Sequence, residues 1–281
     1  MGPPRLSADR WPAVVPAPRY GGAPQHGGRP PGLRAPACQP HPYGRDNSPR
    51  GQLSAGPPGG NSVAAAGVAG DRGGVQEIPE HRIRAVSSPR TITVYQAYAP
   101  HIGLPTARDG RFPDAWKRER MTWIKPSFLW MMYRSGWGAK RDQETVLALE
   151  ISRDGFDWAL RNACLSHCRA DVHHSPEEWR RLLNSRPARV QWDPERDLYL
   201  RALPHRSLQL GLGGEAAERF ADEWIVAVND VTALAHEVRA HLRAGESEDA
   251  AALLPEERPY PAGDDLLAGL VPQKQLPAVP C

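Results

Sequence analysis

Four groups of residues carry side chains whose types and spacing could do chemistry. Glu223 opens the string EWIVAVN, and a carboxylate at the mouth of an apolar strand is placed for acid–base work or for stabilising positive charge as it develops. The plainer alternative is a solvated strand end. Gln96 interrupts the face Ile92, Val94, Gln96, Tyr98 of TITVYQAY, so its amide either lines a cleft or is a core amide with its hydrogen bonds met. In RERMTWIKPSFLWMMYR, Arg118, Arg120, Lys125 and Arg134 flank an apolar helix opening at Pro126. Cations beside a helix start make an anion cradle. The fourth group is CLSHC followed by HH: Cys164, His167, Cys168, His173 and His174. Its atoms suit zinc and three of them would share a helix face, but the spacing matches no finger or ribbon, and we assign no metal.

Weaker signals surround these. Trp123, Trp130 and Trp137 recur every seven residues, a pattern that fits core better than a stacking platform. WDPERD is a turn or a ligand loop. GLGGE lacks the spacing of a dinucleotide fingerprint, and the chain has no GxSxG, Walker loop, HExxH or CxxC.

The elements that must position these groups follow from pattern. Strands are predicted at Thr91–Tyr98, Val146–Ser152, RVQW, LYLRAL, SLQLGL and Glu223–Asn229. Helices are predicted for FPDAWKRERM, for Pro126 to Tyr133 with Gly136 as the stop, and for Asp154–His167. Ser175-Pro176-Glu177-Glu178 is a capping box for a helix to Asn184; GEAAERFAD, Thr232–Arg243 and a short stretch from Asp249 to Leu254 complete the set. Strands and helices interleave without a βαβ rhythm. The prediction is α+β: a single compact domain with a small mixed or split β-sheet flanked by short helices.

Composition places that domain within the chain. Residues 1–74 hold 15 Gly and 14 Pro, with 8 Arg, 3 Asp and neither Lys nor Glu, a net charge of +5. The segment has too little apolar bulk to offset chain entropy and reads as a disordered tail. Its composition resembles translated GC-rich DNA, and we expect the start near Val75. The remainder carries 27 basic and 29 acidic residues, a net of −2, so core charge gives no support to a nucleic-acid partner. The folded domain is expected over 75–260 and disorder over 261–281. No apolar run approaches ~18 residues, so no membrane span is expected. Four Cys, two of them in the tails, form no disulfide framework, which makes the cytoplasm the default location.

The strings RMTWIKPSFLWMMYRSGW, VLALEI, VQWDPERD and LPHRSLQLGLGGEA…DEWIV…DVT resemble the bacterial and fungal family called domain of unknown function 4291, from about Arg82 to Tyr260. One departure is Cys168, where an aromatic is expected. That resemblance implies no activity. A more distant one does: EWIVAVNDV is similar to the C-terminal strand of ADP-ribosyltransferases, preceded in order by an aromatic–polar pair (Tyr95, Gln96) and a segment with Tyr133 and Ser135. It implies NAD as substrate and cleavage of the nicotinamide–ribose bond. Glu223 would be the essential carboxylate, Gln96 or Arg84 the ribose anchor, and Tyr133 the platform for nicotinamide. Tyr95, Lys125, Ser127 and Arg134 would hold the rest of the nucleotide, with Lys125 or Arg134 on the pyrophosphate. Neither the His nor the Arg of that family's first strand is present in TITVYQAY. Two alternatives remain: a non-catalytic module holding a nucleotide or RNA with Trp123, Trp130, Trp192, Trp224 and the basic string, and a structural, partner-binding protein.

Overall fold

A computed structural model describes residues 15–16 and 80–271. Expectations for the 1–74 tail and the start at Val75 otherwise fall outside the described residues.

Two sheets form the domain. The first is wholly antiparallel, in the order β1 (Val15–Pro16), β9 (Ile225–Asp230), β5 (Thr145–Ser152), β3 (Thr91–Tyr98). The second runs β4 (Thr122–Ile124), β8 (Ala202–Leu212), β7 (Ala188–Arg196), β6 (Ala163–Leu165), and only its β6–β7 pair is parallel. A single rung joins them: Tyr95 N–H donates to Lys125 O at 2.7 Å and Lys125 N–H to Tyr95 O at 3.3 Å. A two-stranded ribbon pairs β2 (Arg84–Ala85) with β10 (Arg258–Pro259). This is the expected α+β domain with a mixed, split sheet.

Strand periodicity explains the layering. Ile92 and Val94 of β3, with Leu147, Leu149 and Ile151 of β5, face Val190, Leu208, Leu210 and Leu212 of the second sheet across the main core. Tyr95, Val146 and Ala148 point the other way, against α2 (Phe128–Ser135) and α6 (Thr232–Ala244). Burial on both faces accounts for the unbroken apolar run VLALEIS. The second sheet keeps its other face polar, with Lys125, Gln191, Asp193, Ser207 and Gln209 on it.

The remaining helices are short: α1 (Pro100–Asp109), α3 (Arg153–Arg161), α4 (Pro176–Ser185), α5 (Glu215–Arg219), α7 (Ser247–Ala252) and α8 (Asp264–Leu267). Ser175 caps α4 by accepting from Glu178 N–H, and left-handed Gly136 and Gly245 end α2 and α6, as their types dictate.

Several expectations are corrected. FPDAWKRERM is an irregular loop, because Phe112 and Trp116 stack on each other at 4.3 Å and are drawn into the main core instead of following a helical stripe. The helix missed in sequence, α1, lies just before it and carries Pro105 internally. α3 stops at Arg161, so Cys164 is buried on β6 and does not share a helix face with His167 and Cys168. LYLRAL is mostly the β7–β8 turn, with Leu200 left-handed at φ 63°. Beyond Tyr260 the chain is ordered through α8: Leu266 and Leu270 are buried, and Leu270 O accepts from Trp192 Nε1 at 2.7 Å.

Candidate functional site

The polar face of the second sheet meets the start of α2 at Lys125. Pro126 has no N–H to continue the ladder, so β4 ends there, and Ser127 turns the chain into α2 by accepting from Trp130 N–H at 3.2 Å. Lys125 is 1% exposed. Its Nζ donates to Asp193 Oδ2 at 3.2 Å and to Ser207 O at 3.3 Å, and lies 4.2 Å from the centre of the Trp130 ring. Gln191 Nε2 holds the other Asp193 oxygen at 2.8 Å. Ser127 Oγ donates to Glu195 Oε1 at 2.7 Å, and that oxygen also accepts from Arg196 N–H. The Arg196 guanidinium then stacks 3.7 Å from the centre of the Tyr133 ring.

A third carboxyl closes the cluster. Glu257 Oε1 accepts from Phe128 N–H, the first residue of α2, at 2.6 Å, while Arg84 Nη2 donates to the Glu257 carbonyl at 2.6 Å. Burial, reinforced by Glu195 and opposed by the Phe128 N–H, Arg84 and Lys125, raises the Glu257 carboxyl to about 8. Burial lowers Lys125 to about 8 against the attraction of Asp193 and Glu195. Tyr95, wholly buried and edge-on to Phe128 at 5.5 Å, is raised well above its usual range, first by burial and then by Glu257. Three polar atoms around this cluster are buried without a hydrogen-bond partner: Tyr95 Oη, Ser207 Oγ and Arg196 Nε. Orphaned buried polar groups cost about 1–3 kcal/mol each and call for an explanation.

The residues singled out in sequence divide in two. Tyr95, Lys125 and Ser127 converge here; Arg84 joins through Glu257, and Tyr133 through Arg196. Gln96 lies on the opposite face of β3, where Nε2 donates to Thr122 Oγ1 at 2.7 Å and Trp123 O at 3.0 Å. It is a latch between β3 and β4, with Oε1 left unpartnered. Arg134 points to the far end of α2, donating to Gln143 Oε1 at 2.9 Å.

Glu223 does not open a strand. It lies in a π turn, Phe220–Trp224, which buries Phe220 and Trp224 and leaves the Glu223 side chain 57% exposed. The carboxylate pairs with Arg219 Nε at 3.1 Å, and the Arg219 guanidinium in turn stacks on Trp158 at 4.5 Å. None of these partners belongs to the Lys125 cluster.

Residues 82–260 match the family described as Domain of unknown function (DUF4291). The chain belongs to that family. No curated protein matches it. The matched DUF4291 region begins at Arg82, two residues before the ribbon strand that carries Arg84, and ends at Tyr260, so it takes in every member of the Lys125 cluster.

Three members of that cluster, Asp193, Glu195 and Arg196, fall in WDPERD, read from sequence as a turn or a ligand loop and found here on β7, and Glu257 was not singled out at all. Asp193 and Glu195 had a usable signal, since alternate carboxylates on a strand share one face. Glu257 had none, because only tertiary packing brings its Pro-punctuated segment to α2. Two surface hollows, of about 240 and 320 Å³, lie elsewhere; the first is lined by Trp137, Leu200 and Arg239, the second by Met121, Arg186 and Arg189. At the exposed end of α6, ligand-type atoms of His241, Glu246 and Asp249 lie within 4.8 Å of one another. Among the described residues no helix is long and apolar enough to cross a membrane.

Proposed function

We propose that this domain binds a phosphate-bearing small molecule at the start of α2, with NAD the first ligand to test. The observation that carries this reading is the concentration of unmet polar capacity around one buried cation. Lys125, Tyr95 Oη, Ser207 Oγ and Arg196 Nε surround a helix start whose Phe128 N–H is satisfied by a carboxyl oxygen of the chain itself. Helix starts favour anions, and a lysine destabilised by burial gains from a second negative partner. Five of the eight residues assigned to nucleotide handling from sequence meet in this one network.

Cleavage of the nicotinamide–ribose bond is a separate and finer reading, supported by the EWIVAVNDV likeness and the order of the segments before it. Its carboxylate, Glu223, is exposed and paired with Arg219. The geometry therefore favours binding without Glu223 chemistry. The rival RNA reading needs free stacking platforms, and Trp130 and Trp224 are 8% and 3% exposed.

The test is a thermal shift of the full chain with NAD. Ligand at ~100 times its Kd adds about 2.7 kcal/mol, and each kcal/mol moves Tm by ~2–4 °C in a domain of this size. Absence of any shift up to millimolar NAD removes the reading. Nicotinamide release by wild type and Glu223→Gln is measured alongside, and release lost in the variant would restore Glu223 to the mechanism.

A further inference from the structure

We infer that the segment from Leu254 to Tyr260 is a strap whose Glu257 carboxyl occupies, in cis, the seat that a ligand phosphate takes on binding. This rests on the reading above and specifies how that site is entered.

The seat is built and filled. Phe128 N–H, at the first position of an eight-residue helix, gives its hydrogen bond to Glu257 Oε1. Tyr95, fully buried and packed edge-on to the same Phe128, leaves its hydroxyl without a partner beside that carboxyl. The charged groups facing the Glu257 carboxyl are Arg84 from β2, Lys125 just beyond β4 and Glu195 from β7, with Tyr95 of β3 beside them. A phosphate has more acceptor oxygens than a carboxyl. It can take the Phe128 N–H and also reach Tyr95 Oη and Lys125 Nζ, which the Glu257 side chain leaves unengaged.

The strap is held unevenly, as a displaceable element must be. Its C-terminal anchor is firm: Tyr260 N–H donates to Ile83 O, and Tyr260 Oη donates to Asp157 Oδ1 at 2.7 Å while accepting from Arg153 Nε at 3.2 Å. Glu256, Arg258 and Pro259 are exposed. Between α7 and the ribbon, the Glu257 side chain and the Arg84 bond to its carbonyl are the polar ties of the strap to the seat. Release of these two contacts, with the β2–β10 ribbon and Tyr260 staying docked, frees the Phe128 N–H for a ligand and leaves both sheets paired.

The experiment uses full-length protein and inorganic pyrophosphate as the probe, at about pH 8, with NAD measured in parallel. Titration calorimetry compares wild type with Glu257→Ala, which removes the side chain from the seat, and with Tyr260→Phe, which loosens the anchor outside it. Hydrogen exchange follows the peptide covering 254–260. Both variants are expected to bind pyrophosphate more tightly, Glu257→Ala, which leaves no acceptor for Phe128 N–H, by about tenfold, the penalty a strap closed ~90% of the time imposes. Pyrophosphate should raise exchange of the 254–260 peptide in wild type. NAD or pyrophosphate binding with unchanged exchange, and equal affinity in all three proteins, overturns the strap and leaves the binding reading standing. No binding of either probe by any of the three overturns both.

Discussion

Replacing Glu257 by Gln tests the energetics of the cluster directly. The carboxyl is raised from 4.5 to about 8, chiefly by burial, so the folded state holds a proton that the unfolded chain releases near its ordinary value. A raised folded-state value means that stability is fully present below ~4.5 and is lost as pH rises through ~8. The shift corresponds to about 5 kcal/mol at ~1.36 kcal/mol per unit; because Glu257 keeps some exposure, roughly 2–3 kcal/mol is expected in practice. Gln keeps the shape and the acceptor for Phe128 N–H but cannot ionise. Urea unfolding at several values between about pH 5 and about pH 8 should therefore show wild type losing roughly 2–3 kcal/mol that the variant retains, at unchanged m-value. His81, whose imidazole is lowered chiefly by burial, contributes a pH dependence of the opposite sign, but it is common to both proteins and cancels in the difference. Parallel stability curves for wild type and variant would refute the reasoning, since they would mean the carboxyl is solvated at the start of α2.

Three further outcomes follow from the same contacts. Lys125→Met leaves Asp193 buried without its cation and should cost about 3–5 kcal/mol by denaturant unfolding, most of it recovered in Lys125→Met/Asp193→Leu; because Lys125 is lowered to about 8, the variant should also lose the wild-type rise in stability between pH 8 and the lysine's usual 10.5. Gly155→Ala puts a Cβ 2.4 Å from Trp224 Cγ, and a loss of about 2 kcal/mol in denaturant stability is expected, with Trp224 emission altered. Glu223→Gln removes an exposed pair with Arg219 and should change stability by less than about 1 kcal/mol in the same assay.

The fold was legible where side-chain pattern and burial agree. TITVYQAY and VLALEIS carry β-branched and apolar residues that are buried on both faces, and the structure ends these strands within a residue of the pattern. The Ser175 cap and the Gly136 and Gly245 stops were equally plain, because each rests on a local backbone requirement. Legibility failed where tertiary packing overrode local preference. EAAERFADEW reads as a helix running into a strand, yet the need to bury both Phe220 and Trp224 inserts a π turn, and Glu223 moves from a strand mouth to the surface. For the candidate site, Lys125 and Ser127 could be picked out by their position at a helix start. Asp193, Glu195 and Glu257 reach them from sequence distances of 68 and more, and no local pattern encodes such a meeting.

The location of the cluster follows from how the sheet splits. β3 and β4 share one rung, Tyr95 with Lys125, and on either side of it the strands diverge too far to pair. Side chains take over where the ladder stops. Towards the main core, Gln96 donates to Trp123 O and Thr122 Oγ1, and Tyr98 Oη, accepting from Trp116 Nε1, lies 3.3 Å from the same hydroxyl. On the opposite face the side chains at the rung are Tyr95 and Lys125, and there the chain supplies Asp193 and Ser207 O but leaves three polar atoms unmatched. A purely structural seam would be expected to satisfy both faces equally, since an apolar pair of similar volume is often the more stable solution than a buried charge. The core side leaves one atom unmatched, Gln96 Oε1, against three on the other side, and the face with the larger shortfall is the one that Glu257 covers.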